Sequence, residues 1–428
     1  MKSLFKSIVV AIITWEARLL LLRTKPTIIA VTGNIGKTSV KDAIYEVIKN
    51  TVHARKSEKS FNSEIGVPLS VLGLESGFNN PFLWLKNIFD GLLLVLHPGK
   101  YPKVLVLEMG VDRPGDMDTL TTWIRPHVVV LTRLPDVPVH VEYFDSPEAV
   151  CREKIKLVHA LRQEGTFVYN NDDEKVRAVV DDVFQSSIGY SRYSPSDFTA
   201  SSDETFYENG QAAGTEFTLI HGTESIRLRI TGSLGVQHAY TYAAAAAVGS
   251  IFGVSLQGVA DGLKNHIPPG GRMRLVKGLK DTLIIDDTYN ASPAALERSL
   301  QTLKELKGVK RKIAVLGDMM ELGQYSIKEH ERLGALAHDC ATLLMTIGVR
   351  ARGYAKGALE QGMSEKKILQ YDDAATAGKE LQALIKPGDV ILVKASQSIR
   401  AERVVEEIMA EPERAGELLV RQGDFWKE

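Results

Sequence analysis

Lys37 and Thr38 follow two glycines, Gly33 and Gly36, in the stretch Thr32-Gly33-Asn34-Ile35-Gly36-Lys37-Thr38-Ser39. Residue types in this order suit the binding of a phosphate. Glycines let backbone N–H groups approach an anion, a lysine adds a point charge, and a threonine hydroxyl can hold Mg²⁺. The apolar run from Thr27 to Val31 reads as a buried strand, and Val40, Ala43, Ile44, Val47 and Ile48 recur with helical spacing. Gly33 stands closer to the Gly-Lys pair than in the pattern G-x-x-x-x-G-K-[ST], so this is a shorter variant. A helix cap with a chance lysine would give the same letters. The strand before and the helix after favour nucleotide binding.

Other chemistry-bearing residues fall at the ends of apolar runs. Val104 to Leu107 reads as a second buried strand, and Glu108 follows it, where an acid beside a phosphate loop usually holds Mg²⁺. Asn62 and Glu64, in the polar loop Ser60 to Pro68, are placed for substrate contact, with capping and turn formation as the competing reading. On local grounds alone His140 reads as a structural histidine and Lys154 as a solvated lysine. Ser146-Pro147-Glu148 opens the helix that carries Lys154, with Ser146 as its N-cap and Pro147 in the first position.

The elements that must position these residues are α/β throughout. Val128 to Thr132 and Val168 to Asn170 are further strands. Residues 185–235 turn β-rich, with a hairpin around His221-Gly222-Thr223, and Ala239 to Gly253 reads as an Ala-rich helix. Pro268-Pro269-Gly270-Gly271 marks a boundary. Beyond it, strands Leu283 to Asp286, Lys312 to Leu316, Leu343 to Ile347 and Val390 to Val393 alternate with helices such as Pro293 to Leu306 and Ala374 to Ile385. The expected division is an N-terminal apolar helix, 1–26; a P-loop-type nucleotide-binding domain with a β-rich extension, 27–268; and a Rossmann-like α/β domain, 269–428. Ligands in such sheets sit beyond the carboxyl ends of the strands, so two facing sheet edges make a cleft that can close on a substrate.

The totals bound the function. At 428 residues with 44% hydrophobic and 25% charged residues, the chain suits two or three globular domains. A net charge of -1 gives no basic surface for nucleic acid. Its two cysteines, Cys151 and Cys340, exclude a disulfide framework and a Cys-based zinc site, and fit a cytoplasmic protein. Ser3 to Arg23 is apolar but interrupted by Lys6, Glu16 and Arg18. Its uncharged run, Ser7 to Trp15, is too short for a span and no cleavage site follows it, which leaves a helix packed on the first domain or one lying in a membrane interface.

Taken together these segments resemble the Mur ligase family. The resemblance rests on residues 32–38, on Asn62-Ser63-Glu64-Ile65-Gly66-Val67-Pro68, Glu108-Met109-Gly110 and His140-Val141-Glu142, and on residues 286–293, 316–323 and 393–398. It implies an ATP-dependent amide ligase acting through an acyl phosphate, with a muramyl-peptide acceptor and a dipeptide amine as substrates, working as a cytoplasmic monomer in peptidoglycan synthesis. By the resemblance, Gly33, Asn34, Gly36, Lys37, Thr38, Ser39, Arg272, Asp287 and Asn290 hold the nucleotide. Thr38, Glu108, His140 and Lys154 serve two Mg²⁺ ions, Lys154 as a CO₂-derived carbamate. Lys37, His140, Lys154 and Arg272 form the catalytic set, and Asn62, Glu64, Lys394 and Ser396 face substrate. The alternatives are a ligase of the same type with another acceptor or amine, and a non-catalytic nucleotide-binding scaffold. Four features depart from the family pattern, one of them a longer turn before His140. Only a short apolar helix precedes the phosphate loop, in place of a uridine-nucleotide domain. His238-Ala239-Tyr240-Thr241-Tyr242 lacks the asparagines used for adenine, which leaves stacking on a tyrosine. Ile155 and Lys156 replace the usual Gly and Glu beside Lys154.

Overall fold

A computed structural model describes residues 2–58, 61–78, 80–423 and 426. Ser60 of the polar loop, and the side chains of Ser3, Leu4 and Phe5, lie outside the described residues. Two sheets organise the chain. The first holds β1 (Thr27–Thr32), β2 (Ala54–Lys56), β3 (Val104–Glu108), β4 (Val128–Leu131), β5 (Thr166–Asn170), β6 (Ser186–Ser191), β7 (Phe198–Glu208), β8 (Gln211–His221) and β9 (Glu224–Thr231). Their spatial order is β2-β3-β1-β4-β5-β6-β7-β8-β9, parallel as far as β7 and antiparallel in the two hairpins that follow. The β-rich stretch is thus a continuation of the same sheet.

The helices of this half are α1 (Lys2–Thr24), α2 (Lys37–Ile48), α3 (Gly66–Leu72), α4 (Pro81–Leu96), α5 (Asp116–Thr121), α6 (Pro147–His159), α7 (Glu174–Arg177), α8 (Gln237–Ile251) and α9 (Leu256–Leu263). They cover both faces, which is why the central strands are continuous apolar runs. Ile29, Val31, Val104, Val106, Val128 and Val130 pack on one side with α2 and α8, where the fully buried run Ala243 to Ala247 permits close approach. Ile28, Ala30, Leu105, Leu107, Val129 and Leu131 pack on the other with α1 and α3. This period-two alternation sorts the run into two cores.

The second sheet holds β10 (Arg274–Gly278), β11 (Thr282–Asp286), β12 (Lys312–Gly317), β13 (Leu343–Ile347), β14 (Ile368–Tyr371) and β15 (Val390–Lys394), in the order β10-β11-β15-β12-β13-β14. Only β10 is antiparallel to its neighbour. After β11 the chain enters α10 (Pro293–Glu305), whose Pro293 occupies the first turn. Residues 326–340, 352–360, 374–384 and 402–408 form the other main helices of this half.

The apolar N-terminal stretch is a helix packed on the first domain, with Val9, Ile13, Ala17 and Leu20 buried. None of the helices among the described residues is long and apolar enough to cross a membrane. Glu16 sits buried in the seam between α1 and α4. A Cβ on Gly91 would lie 2.2 Å from its Oε2, and that oxygen has no hydrogen-bond partner among the described residues. Desolvation raises its carboxyl pKa to about 7. The folded protein therefore keeps a proton that the unfolded chain releases near the ordinary value of 4.5, so stability falls as pH rises from there to about 7 and stays lower above it. Glu16→Gln should match the wild type in apparent melting temperature near pH 4.5 and exceed it, by about 2–4 °C, at pH 8. Parallel melting curves at the two pH values check this.

Candidate active site

The phosphate loop lies at the carboxyl end of β1. Gly33 has φ 130°, and a Cβ there would stand 2.1 Å from Thr132 Oγ1, so only glycine fits against β4's exit. Gly36, at φ 87°, caps α2 and aims the helix's first N–H groups into the loop. Because β1, β3 and β4 are parallel, Thr32, Glu108 and Thr132 end at one edge. Both polar atoms of the Asn34 side chain are buried there with no protein partner among the described residues.

A chain of hydrogen bonds crosses from the second half of the protein into this loop. Arg272 Nη2 donates to Thr38 Oγ1 at 3.0 Å, and Thr38 Oγ1 donates to Glu108 Oε2 at 2.8 Å. Asn62 Nδ2 donates to the other carboxylate oxygen at 2.9 Å. Arg272 also stacks 4.0 Å over the Tyr289 ring, and its Nε has no partner among the described residues. Lys37 has its pKa lowered, first by desolvation and then by Arg272, with Glu108 and Asp112 opposing. Two cations, Lys37 and Arg272, thus share this edge with two acids, Glu108 and Asp112.

Facing this edge, β11 and β15 end in Asp286 and Lys394. Lys394 Nζ lies 2.6 Å from Asp287 Oδ2 and donates to the Asn290 carbonyl at 3.0 Å, and Ser299 Oγ donates to Asp287 Oδ2 at 2.6 Å. Asp286 is fully buried, and burial raises its carboxyl pKa to about 6, with hydrogen bonds from Thr288 opposing. Between the two edges is a cavity of about 380 Å³ lined by Asn34 to Ser39, Asn62, Glu108, Asp112, His140, Arg272, Asp287, Tyr289, Asn290, Arg298, Lys394 and Gln397, among others.

His140 bridges the two halves. It takes φ 70°, with Nε2 3.4 Å from Asp112 and Nδ1 2.8 Å from Glu321, whose pKa the imidazole lowers. Beside it the Glu142 N–H donates to the Glu321 carbonyl at 3.3 Å. Lys154 is buried on α6 with no hydrogen bond or ion pair among the described residues. Desolvation, then the charge of Lys37, lowers its pKa to about 7. Its neighbour Glu153 is occupied otherwise: it accepts from the N–H groups of Gly115 and Met117 at the start of α5 and pairs with Lys156.

Two sequence candidates stay outside this constellation. Glu64 is exposed and does not line the cavity, because it lies in the turn that leads into α3. Ser396 is buried with its Oγ accepting from the Met320 N–H at 2.9 Å, so its hydroxyl braces a loop while Gln397 reaches the cavity. Sequence reasoning missed Asp112, Glu321, Tyr289, Arg298 and Gln397 as site residues. All but Arg298 stood in polar loops at strand ends, the one signal that could have marked them. His238 is structural: it is buried, lies 2.8 Å from Ser233 Oγ, and desolvation lowers its pKa to about 3. Tyr242 is packed edge-on against Phe217 in the core, whereas Tyr240 donates to Asp172 Oδ2 at 2.9 Å and has Arg298 5.4 Å from its ring centroid.

Fold and site define an α/β protein whose phosphate loop is closed over by an arginine, Arg272, in the segment that leads into a second, mostly parallel sheet. Family models agree on both halves: the Mur ligase middle domain matches residues 31–249, and the Mur ligase glutamate ligase domain matches residues 271–397. The chain belongs to the Mur ligase family. It is similar to UDP-N-acetylmuramoyl-tripeptide–D-alanyl-D-alanine ligase of Mycobacterium leprae (strain TN), with 32% identity covering 87% of this chain and 71% of that one. The ligase of the same name from Bacillus subtilis (strain 168) is 27% identical over 90% of this chain and 76% of its own. Among solved structures, MurF ligase from Thermotoga maritima in complex with ADP superposes with a TM-score of 0.74 at 26% identity, covering 95% of this chain and 84% of that one.

Proposed function

We propose that this chain is an ATP-dependent, ADP-forming peptide ligase that joins D-alanyl-D-alanine to a muramyl-peptide acceptor, acting as a monomer at the cytoplasmic face of the membrane. Residues 27–268 supply the ATP site and residues 269–428 close over it. The observation that carries the reading is the Arg272–Thr38–Glu108 chain, which ties the phosphate loop to the opposite sheet edge. The names of the similar proteins supply the substrates.

The residues fit a nucleotide and Mg²⁺. Asn34 and Arg272 Nε are buried donors without protein partners among the described residues, as a phosphate site requires. No group of three or more His, Cys, Asp or Glu is gathered among the described residues, but Mg²⁺ uses one or two carboxylates plus phosphate oxygens. Glu108 and Thr38 would hold one ion. His140, with a carbamate on Lys154, would serve a second. Bound there, Mg²⁺ supplies neutralisation of phosphate charge.

Lys37 and Arg272 hold the γ-phosphate in line with the acceptor carboxylate, whose oxygen takes the phosphoryl group as ADP leaves. Asn290 and Asp287 position the nucleotide. Lys394 neutralises the acyl phosphate, and the incoming amine attacks its carbonyl carbon, forming the amide as phosphate departs. Bringing two anions together is the costly step, so positioned cations dominate catalysis. Phosphate release measured with acceptor alone, dipeptide alone and both should require both. Release with neither substrate, unchanged when they are added, refutes the ligase reading, and no release under any of these conditions leaves the non-catalytic scaffold. Release that requires a different amine keeps the chemistry and changes the substrate.

A further inference from the structure

The solvent face of α4 is apolar. Asn80 caps this helix, accepting from the N–H groups of Phe82 and Leu83, and Pro81 opens it. One stripe, Trp84, Asn87, Gly91 and Val95, is buried and holds the helix along α1. The opposite stripe would be polar in an ordinary surface helix. Here it is Phe82, Leu85, Phe89, Leu93 and Leu96, all exposed, with Phe82 78% exposed. Alongside, joined by the Arg23 bond to the Val95 carbonyl, α1 exposes Ile8, Trp15 and Leu22. Two adjacent helices thus show water a band of large apolar and aromatic side chains, and such patches on globular proteins mark interaction sites.

The charge around the band indicates what covers it. Residues 1–26 carry five Lys or Arg against one acid, and that acid, Glu16, is buried in the seam. Residues 81–103 carry three lysines against Asp90, in a chain whose net charge is -1. Arg18 lies on the same exposed stripe of α1 as Trp15 and Leu22, and Lys86 lies between Phe82 and Phe89 on α4. Long basic side chains beside aromatics, on helices too short or too charged to cross a membrane, suit the headgroup–acyl boundary. At 16 residues α4 is about 24 Å long and would lie in the plane of the surface.

We infer that α4 and the exposed stripe of α1 form a docking surface for a bilayer containing anionic lipid. The inference rests on the membrane part of the proposed function and extends it from the first helix to a second that sequence reading did not single out. Apolar burial anchors the protein, and basic residues select negatively charged headgroups.

The test is co-sedimentation of the full chain with vesicles of phosphatidylcholine alone or with phosphatidylglycerol added. Binding is expected to the anionic vesicles, to weaken with added salt, and to fall at least tenfold in Phe82→Ser/Phe89→Ser. Arg18→Glu/Lys86→Glu should weaken anionic binding and leave the small binding to neutral vesicles unchanged. Absence of anionic binding, or binding indifferent to both pairs of substitutions, overturns the inference. So does a concentration-dependent dimer that the Phe82→Ser/Phe89→Ser change dissolves, since a second copy would then cover the band. Substrate-dependent phosphate release, measured on the same samples without lipid, should be unaffected by these surface changes. Its absence would count against the ligase reading and leave the vesicle result standing.

Discussion

Lys37→Ala is expected to abolish ATP turnover. Lys37 is the only cation in the loop from Thr32 to Ser39, and it opens α2 immediately after the left-handed Gly36. The surrounding desolvation that lowers its pKa also strengthens its attraction for a phosphate, since water screens it little. Arg272 cannot replace it, because its guanidinium is stacked on Tyr289 and bonded to Thr38 from the far side. Removing one preorganised donor to developing charge typically costs about 10²–10³-fold in kcat. Losing the loop's sole cation should exceed that. Phosphate release should fall to background while the melting curve keeps its shape, because the lysine makes no ion pair among the described residues whose loss would unfold the loop. Full turnover in the variant would refute the phosphate assignment.

Lys37 was legible in the sequence because everything that defines it is local. A buried strand, two glycines and a helix lie within about two dozen residues, and each has its own pattern. Glu108 was legible for the same reason, as an acid ending an apolar run. The rest of the site is assembled from afar. Asp112 and Glu321 matter because both reach His140, and no periodicity relates loops that the chain separates so widely. Glu64 and Ser396 show the converse. They lie beside cavity residues in sequence, at Asn62 and Gln397, yet a helix start and a backbone hydrogen bond turn them elsewhere.

The fold divides in the same way. Continuous apolar strands such as β1, β3, β4 and β15 were plain, because burial on both faces leaves no ambiguity. The edge strands β10 and β14 were not, since Arg274, Lys277 and Gln370 interrupt their apolar positions, and an edge needs no full apolar run. Strand β6, Ser186–Ser191, was hidden by serines and Gly189, and only its pairing with β5 makes it a strand. The helix pair at the N-terminus shows a limit of periodicity itself. In α4 the exposed stripe is as apolar as the buried one, which includes Asn87, so the usual signal of a polar outer face is missing.

Lys154→Ala should cost most of the activity, and added formate or acetate should restore part of it. An alkylammonium buried without a partner is unfavourable, and desolvation together with Lys37 answers that by lowering the pKa to about 7. Near neutral pH a large share of Lys154 is therefore free amine, the form that attacks CO₂. Carbamylation replaces a destabilised cation with an anion that Lys37 attracts instead of repels. The same pKa fixes the direction of the pH effect: as pH rises through about 7 more amine is available, so at constant CO₂ the carbamate and the activity should both rise. Buffer stripped of CO₂ should lower turnover, bicarbonate should recover it, and ¹³CO₂ should give a carbamate resonance absent from the alanine variant. Lys154→Arg, which keeps a charge that cannot be shed, should be as inactive as alanine and less responsive to bicarbonate than the wild type. A fully active alanine variant would mean that Lys154 is a buried structural lysine and that the second cation is held without it.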